Sequence, residues 1–146
     1  MKDPVLSSLL RINRQRIRAL RNDVLTPNQY VGIMHLIVLY TGNHPGASQE
    51  EIVNFFALDK TSVARGARRL EEMNHLRRTQ DPSNRRQYQL FLTPAGEKMR
   101  EIIECAHNSF QQQLAGGISD EDWALLASLL QRLEKNICPD PPPEQP

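Results

Sequence analysis

The segment from Ser48 to Leu92 changes its apolar periodicity from helical to alternating, and that change limits the folds open to this chain. Ser48-Gln49-Glu50-Glu51 has the form of a capping box, in which the hydroxyl and the carboxylate each satisfy a backbone amide at a helix start. The helix it opens carries Ile52, Val53, Phe55 and Phe56 as its inward set. Ala57-Leu58 leaves room only for a turn, after which Asp59 caps a helix predicted from Lys60 to about Asn74. Two β-type runs follow, Leu76–Thr79 and Gln87–Leu92, separated by polar residues from Gln80 to Arg86. Alternation places Tyr88, Leu90 and Leu92 on one face, which predicts a half-buried hairpin. Two short helices at a tight turn, followed by a ribbon, form the centre of the chain.

The flanks read as helices. Asp3-Pro4 is a cap followed by proline at the first helical position, and Val5, Leu6, Leu9, Leu10, Ile12, Ile17 and Leu20 follow at helical spacing among arginines. Thr26-Pro27-Asn28-Gln29 repeats the signal and predicts a second helix from there to about Tyr40, with a loop over Gly42–Gly46. Thr93-Pro94 opens a long helix to about Leu114, which Gly116-Gly117 ends. Ser119 with Asp122 starts the last helix, whose inward set is Trp123, Leu126, Leu129, Leu130, Leu133 and Ile137. The proline-rich tail, 139–146, is expected to be disordered. The expected class is mainly α with a small β-wing, and 146 residues suffice for one core but not for two independent ones. No apolar run approaches the roughly 20 residues that span a bilayer; Ile33–Tyr40 is broken by His35. With no signal-like apolar region at Met1, a cytoplasmic location is the expectation.

The net charge of +1 conceals an asymmetry. Residues 60–86 hold eight cationic side chains against three acidic ones, a local +5, whereas from Pro94 onward four cations face nine acids. A concentrated basic patch is what phosphate binding requires. On the Lys60–Asn74 helix, Val63, Ala67 and Leu70 share one face, and Lys60, Thr61, Ser62, Arg65, Arg68 and Arg69 are on the other. Arginine pairs bidentately with guanine, and hydroxyls donate or accept at base edges, so Thr61, Ser62 and Arg65 in the first turns are candidate base readers. Lys60, Arg68 and Arg69 are candidate phosphate contacts. The ribbon adds Arg77, Arg78, Arg85 and Arg86. A surface hairpin has no evident structural need for four mutually repelling arginines, and an inserted arginine is favoured by a narrow minor groove. Helix and ribbon together imply duplex DNA as partner.

At this point the chain resembles the MarR (multiple antibiotic resistance regulator) family of winged helix-turn-helix regulators. The resemblance rests on Leu25–Tyr30, Ser48–Ile52, Leu58–Arg65, Arg69–Met73, Asp81–Arg86 and Leu92–Gly96. Their order and spacing fit from about residue 5 to 136. The resemblance implies an obligate homodimer, with residues 1–25 and 94–138 as the helical dimerisation module and 26–93 as the DNA-binding domain. It also implies a repressor of palindromic operators, with Arg86 as minor-groove arginine and Asn84 and Arg85 beside it at the wing tip. Three residues depart from the family pattern. Asn84 stands where Asp is usual, Ala64 where Ser or Thr is frequent, and Gly66 where a larger apolar residue is usual. Mid-helix glycine costs about 1 kcal/mol against Ala, unless it permits unusually close packing. The broad apolar faces of the first and last helices independently call for a partner, because monomers rarely expose such patches. A twofold dimer would space two recognition helices about 34 Å apart.

The resemblance further implies a small phenolic or aromatic carboxylate effector, for which Arg16, Tyr30, Met34 and His35 are candidate lining residues; core packing is the plainer reading of the last three. A thiol-sensing regulator is the alternative, but Cys105 and Cys138 have neither CxxC spacing nor a neighbouring histidine on the same helix face. A winged helix that binds another protein, or coats DNA without sequence preference, is a further alternative. His35, His44, His75 and His107 form no metal-binding spacing, so no metal or cofactor is expected. No phosphate-binding glycine loop and no nucleophile with a plausible base is present, so the chain is not expected to be an enzyme.

Overall fold

The computed structural model describes residues 3–137; Cys138 and the 139–146 tail expected to be disordered lie outside them. The described chain divides into two units after Asn108. Among these residues no helix is long and apolar enough to cross a membrane.

In the first unit, α1 (Pro4–Leu20) begins as its sequence indicates, the Asp3 carboxylate accepting from the amides of Val5 (2.8 Å) and Leu6 (3.3 Å). It passes into a wider π turn, Arg21–Leu25, that buries Val24 and Leu25. Here the structure corrects the sequence reading. Thr26 does not cap a new helix, because a cap needs extended backbone and Thr26 is itself helical, its amide already bonded to the Arg21 carbonyl at 2.9 Å. The chain then reverses through Gln29 at φ +60° and Gly32 at φ +56°, and α2 starts only at Met34 and runs to Asn43. Gly42, expected in a loop, is therefore still helical.

α3 (Gln49–Phe56) has both halves of its capping box: the Glu51 amide donates to Ser48 Oγ (3.2 Å), and the Ser48 amide donates to Glu51 Oε2 (2.6 Å). Ala57 at φ +51° makes the turn into α4 (Lys60–Glu72). Asn74 at φ +58° ends α4, and the antiparallel strands β1 (Leu76–Gln80) and β2 (Tyr88–Leu92) follow, with Leu76 opposite Leu92. The Gly46 amide donates to the Leu90 carbonyl (2.8 Å) and the Leu90 amide to the Ala47 carbonyl (2.9 Å), so residues 46–48 run along the far edge of β2. Tyr88, expected to face inward with Leu90 and Leu92, is exposed, while Leu90 is buried and Leu92 half-buried. It pairs with Gln80 at the outer end of the ribbon, beyond the core, and its ring lies 5.5 Å from the Arg78 guanidinium.

The core gathers Met34, Ile37, Val38, Ile52, Val63, Ala67, Leu70, Leu76, Leu90, Met99 and Ile103. Phe55 and Phe56, half-buried, pack edge to face at 4.8 Å and against Tyr40. α5 (Pro94–Ala115) starts where Thr93 Oγ1 accepts from the Gly96 amide at 3.1 Å.

The second unit holds the end of α5 and α6 (Asp120–Ile137), started by the Asp122 amide donating to Ser119 Oγ at 3.1 Å. Of the expected inward set on α6, only Trp123 and Leu130 are even half-buried; Leu126, Leu129, Leu133 and Ile137 are exposed. One copy of the chain does not cover them.

Candidate nucleic-acid interface

Asp59 Oδ1 accepts the Ser62 amide at 2.8 Å, and the Ser62 hydroxyl together with this amide holds the carboxyl below its ordinary range. It fixes the first turn of α4, from which Lys60, Thr61 and Arg65 project into solvent, with Ser62 half-buried beside them. Arg68 and Arg69 continue the exposed face, while Val63, Gly66, Ala67 and Leu70 are buried. A Cβ on Gly66 would lie 2.7 Å from Ile37 Cδ1, so the missing side chain lets α4 lie directly on α2. Between them a groove of about 310 Å³ has Ile33, Met34 and Gly66 on its apolar side and Ser62, Arg65 and Arg69 on its polar side.

The ribbon tip is built by its own polar residues. Asp81 Oδ1 accepts from the Ser83 amide (2.8 Å) and hydroxyl (2.7 Å), which depress the Asp81 carboxyl. Asn84, which stands where Asp is usual in the family resembled, accepts the Arg86 amide at 3.2 Å through its side-chain oxygen. Gln80 Nε2 donates to the Arg85 carbonyl at 2.8 Å. Arg85 and Arg86 therefore stand on a fixed turn with both guanidinium groups exposed.

The four ribbon arginines are not equivalent. Arg78 Nε donates to Glu71 Oε2 at 2.8 Å, tying β1 back to α4, and Arg77 stacks over Phe91 at 5.3 Å. Two of the four thus have local partners, which corrects the expectation that none had a structural use. Among the described residues, Lys60, Arg65, Arg68, Arg69, Arg85 and Arg86 enter no ion pair. A second groove of about 370 Å³ brings Lys60, Arg78 and Arg86 together with Glu50, whose carboxylate accepts from Gln87 Nε2 at 3.4 Å, and with Ser48, Gln49, Gln87 and Tyr88. Sequence reasoning did not single out those last four as part of this face. The only signal was that Ser48 and Gln49 start α3, a helix end that favours negative charge and whose first turn already holds Glu50 and Glu51.

Of the candidate effector residues, Arg16, Tyr30 and His35 line one pocket of about 240 Å³, with Ile17, Leu20 and Gly32. Met34 is separated from them: it is 1% exposed and borders the groove beside α4 instead. Burial, with His107 and Arg16 nearby, pushes the His35 imidazole down to about 4. His35 Nδ1 and His107 Nε2 are buried without a hydrogen-bond partner. Cys105 is exposed on α5.

A helix pair whose second member presents an unpaired cationic face, followed by a ribbon tipped with two free arginines, defines a winged-helix transcriptional regulator. The MarR family model matches residues 25–88. A Thauera aromatica chain named as transcriptional regulatory protein for the hcr operon is 31% identical over 80% of this chain and 68% of its own length. The crystal structure of MarR is 28% identical, with a TM-score of 0.78 over 92% of this chain and 91% of that one. A MarR family regulator from Listeria monocytogenes, solved with 26-mer DNA, superposes with a TM-score of 0.82 at 22% identity, over 94% of this chain and 90% of its own. The chain belongs to the MarR family.

Proposed function

We propose that the protein is a homodimeric repressor that reads a palindromic operator with α4 in the major groove and the ribbon tip in the minor groove, and is released by a small aromatic acid or phenol. The observation that carries the DNA reading is the set of exposed cations on α4 and the wing, left without carboxylate partners in a patch where mutual repulsion would otherwise be unrelieved. Thr61, Ser62 and Arg65 read bases; Lys60, Arg68 and Arg69 hold phosphates. Arg86 enters the minor groove, with Asn84 and Arg85 beside it. Arg77 and Arg78 contribute field and shape, since their guanidinium groups are engaged by Phe91 of the ribbon and by Glu71 of α4. Residues 26–93 act as the DNA-binding domain, and 1–25 with 94–138 as the dimerisation module.

The test is selection of bound sites from a random duplex pool, followed by affinity measurements at several salt concentrations. Arg86→Ala is expected to weaken binding about tenfold on every duplex and to flatten the salt dependence by about one counterion. Arg65→Ala is expected to cost about 1–3 kcal/mol on the selected site and to blur one base position. Unchanged affinity in both variants would remove the contact assignment. In vitro transcription from a promoter carrying the selected site distinguishes repression from activation.

Dimerisation is supported by exposed apolar surface on each unit separately. On α1, Val5, Leu6, Leu10, Ile12 and Ile17 are exposed; on α6, Leu125, Leu126, Leu129, Leu133 and Ile137 are. Such rows are stable in water only when covered. Leu126→Asp with Leu129→Asp is expected to give a monomer in sedimentation and to lower operator affinity at least about tenfold, because only one half-site is then held. A wild-type chain that sediments as a monomer at micromolar concentration would refute the dimer.

The effector reading is supported by the pocket around Arg16, Tyr30 and His35. Its two cations, Arg16 and Arg21, meet no carboxylate among the described residues, and they share the pocket with Thr26, His35 and the apolar and aromatic side chains of Ile17, Leu20 and Tyr30.

A further inference from the structure

Tyr30 belongs to two places at once. It lines the pocket with Arg16 and His35. Its hydroxyl is hydrogen-bonded to His75 Nδ1 at 2.8 Å, with the two rings tilted at 5.6 Å. Burial raises the phenol above its ordinary range, so the hydroxyl keeps its proton, and burial lowers the His75 imidazole, which favours its neutral form.

His75 is the junction of the DNA-facing elements. Its amide donates to the Leu70 carbonyl at 2.8 Å, closing the end of α4. Its carbonyl accepts the Thr93 amide at 3.1 Å, at the start of α5. The next residue, Leu76, is the first of β1. Gly96 lies directly against the same carbonyl. Among the described residues, no other hydrogen bond reaches residues 70–93 from residues 3–43.

We infer that the Tyr30–His75 hydrogen bond couples the Arg16–His35 pocket to the root of the wing, so that a small aromatic acid lying against the Tyr30 ring acts on DNA through this bond. The inference rests on the effector reading above. A tyrosine ring is rigid and moves as a lever about its Cβ, so displacing the ring in the pocket carries the hydroxyl with it. A hydrogen bond of ordinary length is lost on a shift of about 1 Å. His75 then lacks the one side-chain partner that fixes it, and the carbonyl and amide it places between α4, β1 and α5 are free to adjust. The bond is an element with two states, made and broken, that both sites bias, which is what coupling between sites requires.

Benzoate and 4-hydroxybenzoate are titrated calorimetrically into the full-length wild type, His75→Leu and His75→Asn, and affinity for the selected duplex is measured with and without saturating acid. In the wild type, saturation is expected to lower DNA affinity about tenfold, within the usual range of coupling between sites. His75→Leu, which lies outside the pocket, is expected to bind the acids within about threefold of wild type while the coupling shrinks below about twofold. Asn places an amide close to the position of Nδ1, so His75→Asn is expected to restore most of the coupling. Thermal unfolding of each variant separates lost coupling from lost fold. Full coupling in a folded, acid-binding His75→Leu would overturn the inference, as would a wild type that binds the acids without any change in DNA affinity, the pocket reading then surviving. A wild type that binds neither acid removes the pocket reading and the inference with it.

Discussion

Gly96→Ala is expected to destabilise the folded chain by about 3 kcal/mol, near the upper end for overpacking. A Cβ built at Gly96 lies 2.0 Å from the His75 carbonyl oxygen and 3.0 Å from its carbon. These are backbone atoms that cannot rotate aside. The same carbonyl accepts the Thr93 amide, and Thr93 Oγ1 in turn donates to the Asn74 carbonyl at 2.6 Å and accepts the Gly96 amide at 3.1 Å. Any shift that accommodates the methyl group pulls at these bonds together. In thermal unfolding the midpoint should fall by about 10 °C for a chain of this size. Gly42→Ala is the informative contrast. There the nearest atom, at 2.1 Å, is Arg100 Cδ, part of a long flexible side chain. Arg100 can swing away, giving up a 3.4 Å contact with Asn43 and partly exposed pairs with Glu97 and Glu104, while alanine gains helix propensity within α2. Its expected cost is under about 1 kcal/mol. Equal costs at the two glycines would show that the α4–β1–α5 junction is looser than its geometry indicates.

The same junction marks where the sequence could be read and where it could not. Caps at Asp3, Ser48, Asp59, Thr93 and Ser119 were legible because a cap is decided within three or four residues by one side chain and the amides it faces. Thr26 carried the same local signal and failed, because α1 continued through a π turn and used the Thr26 amide first. Nothing local distinguishes the two cases; the outcome depends on whether the preceding helix has already ended. Gly66 was legible in a different way. A mid-helix glycine on the face shared by Val63 and Leu70 has no local benefit, so close packing was its physical justification, and Ile37 fills the space.

The candidate DNA face was legible as a composition and only partly as a geometry. Periodicity put Arg65, Arg68 and Arg69 on the exposed side of α4, and that is where they are. The pairing of Arg78 with Glu71 was not readable, because it requires β1 to fold back along α4, a contact that no spacing rule encodes. Nor was the attachment of residues 46–48 to β2, which brings Ser48 and Gln49 toward Arg86. Arg16, Tyr30 and His35 were read as neighbours, and they are; Met34 was separated from them by the delayed start of α2.

Acid should destabilise this protein in a window set by its histidines, with His35 the largest contributor. His35 is half-buried between Arg16 of α1 and His107 of α5, and its pKa is pushed from 6.5 down to about 4, first by burial and then by those neighbours. His107 is lowered in the same direction, by burial and Arg16, against a weaker opposing influence of Glu104, and His75 is lowered by burial. The neutral imidazole is thus favoured in the folded chain, and as pH falls the unfolded chain takes up the proton first. The contribution is fully present above pH 6.5 and is lost as pH falls through the folded value near 4. For His35 alone the difference amounts to about 3 kcal/mol, at 1.36 kcal/mol per unit. The depressed carboxyls of Asp59 and Asp81 act below this window, since their ordinary value is 3.8. His35→Leu removes the titration and gives up only the backbone hydrogen bond to Gly32, so it is expected to stay within about 1 kcal/mol of wild type at pH 7.5. At pH 4.5 it should exceed wild type by about 2–3 kcal/mol in urea unfolding. A His35→Leu protein that weakens between pH 7.5 and 4.5 as steeply as wild type would place the acid sensitivity elsewhere. The same cluster gives an anionic effector a distinguishable signature: a carboxylate beside Arg16 raises the His35 pKa, so bound effector should reduce the acid loss in wild type and leave His35→Leu unaffected.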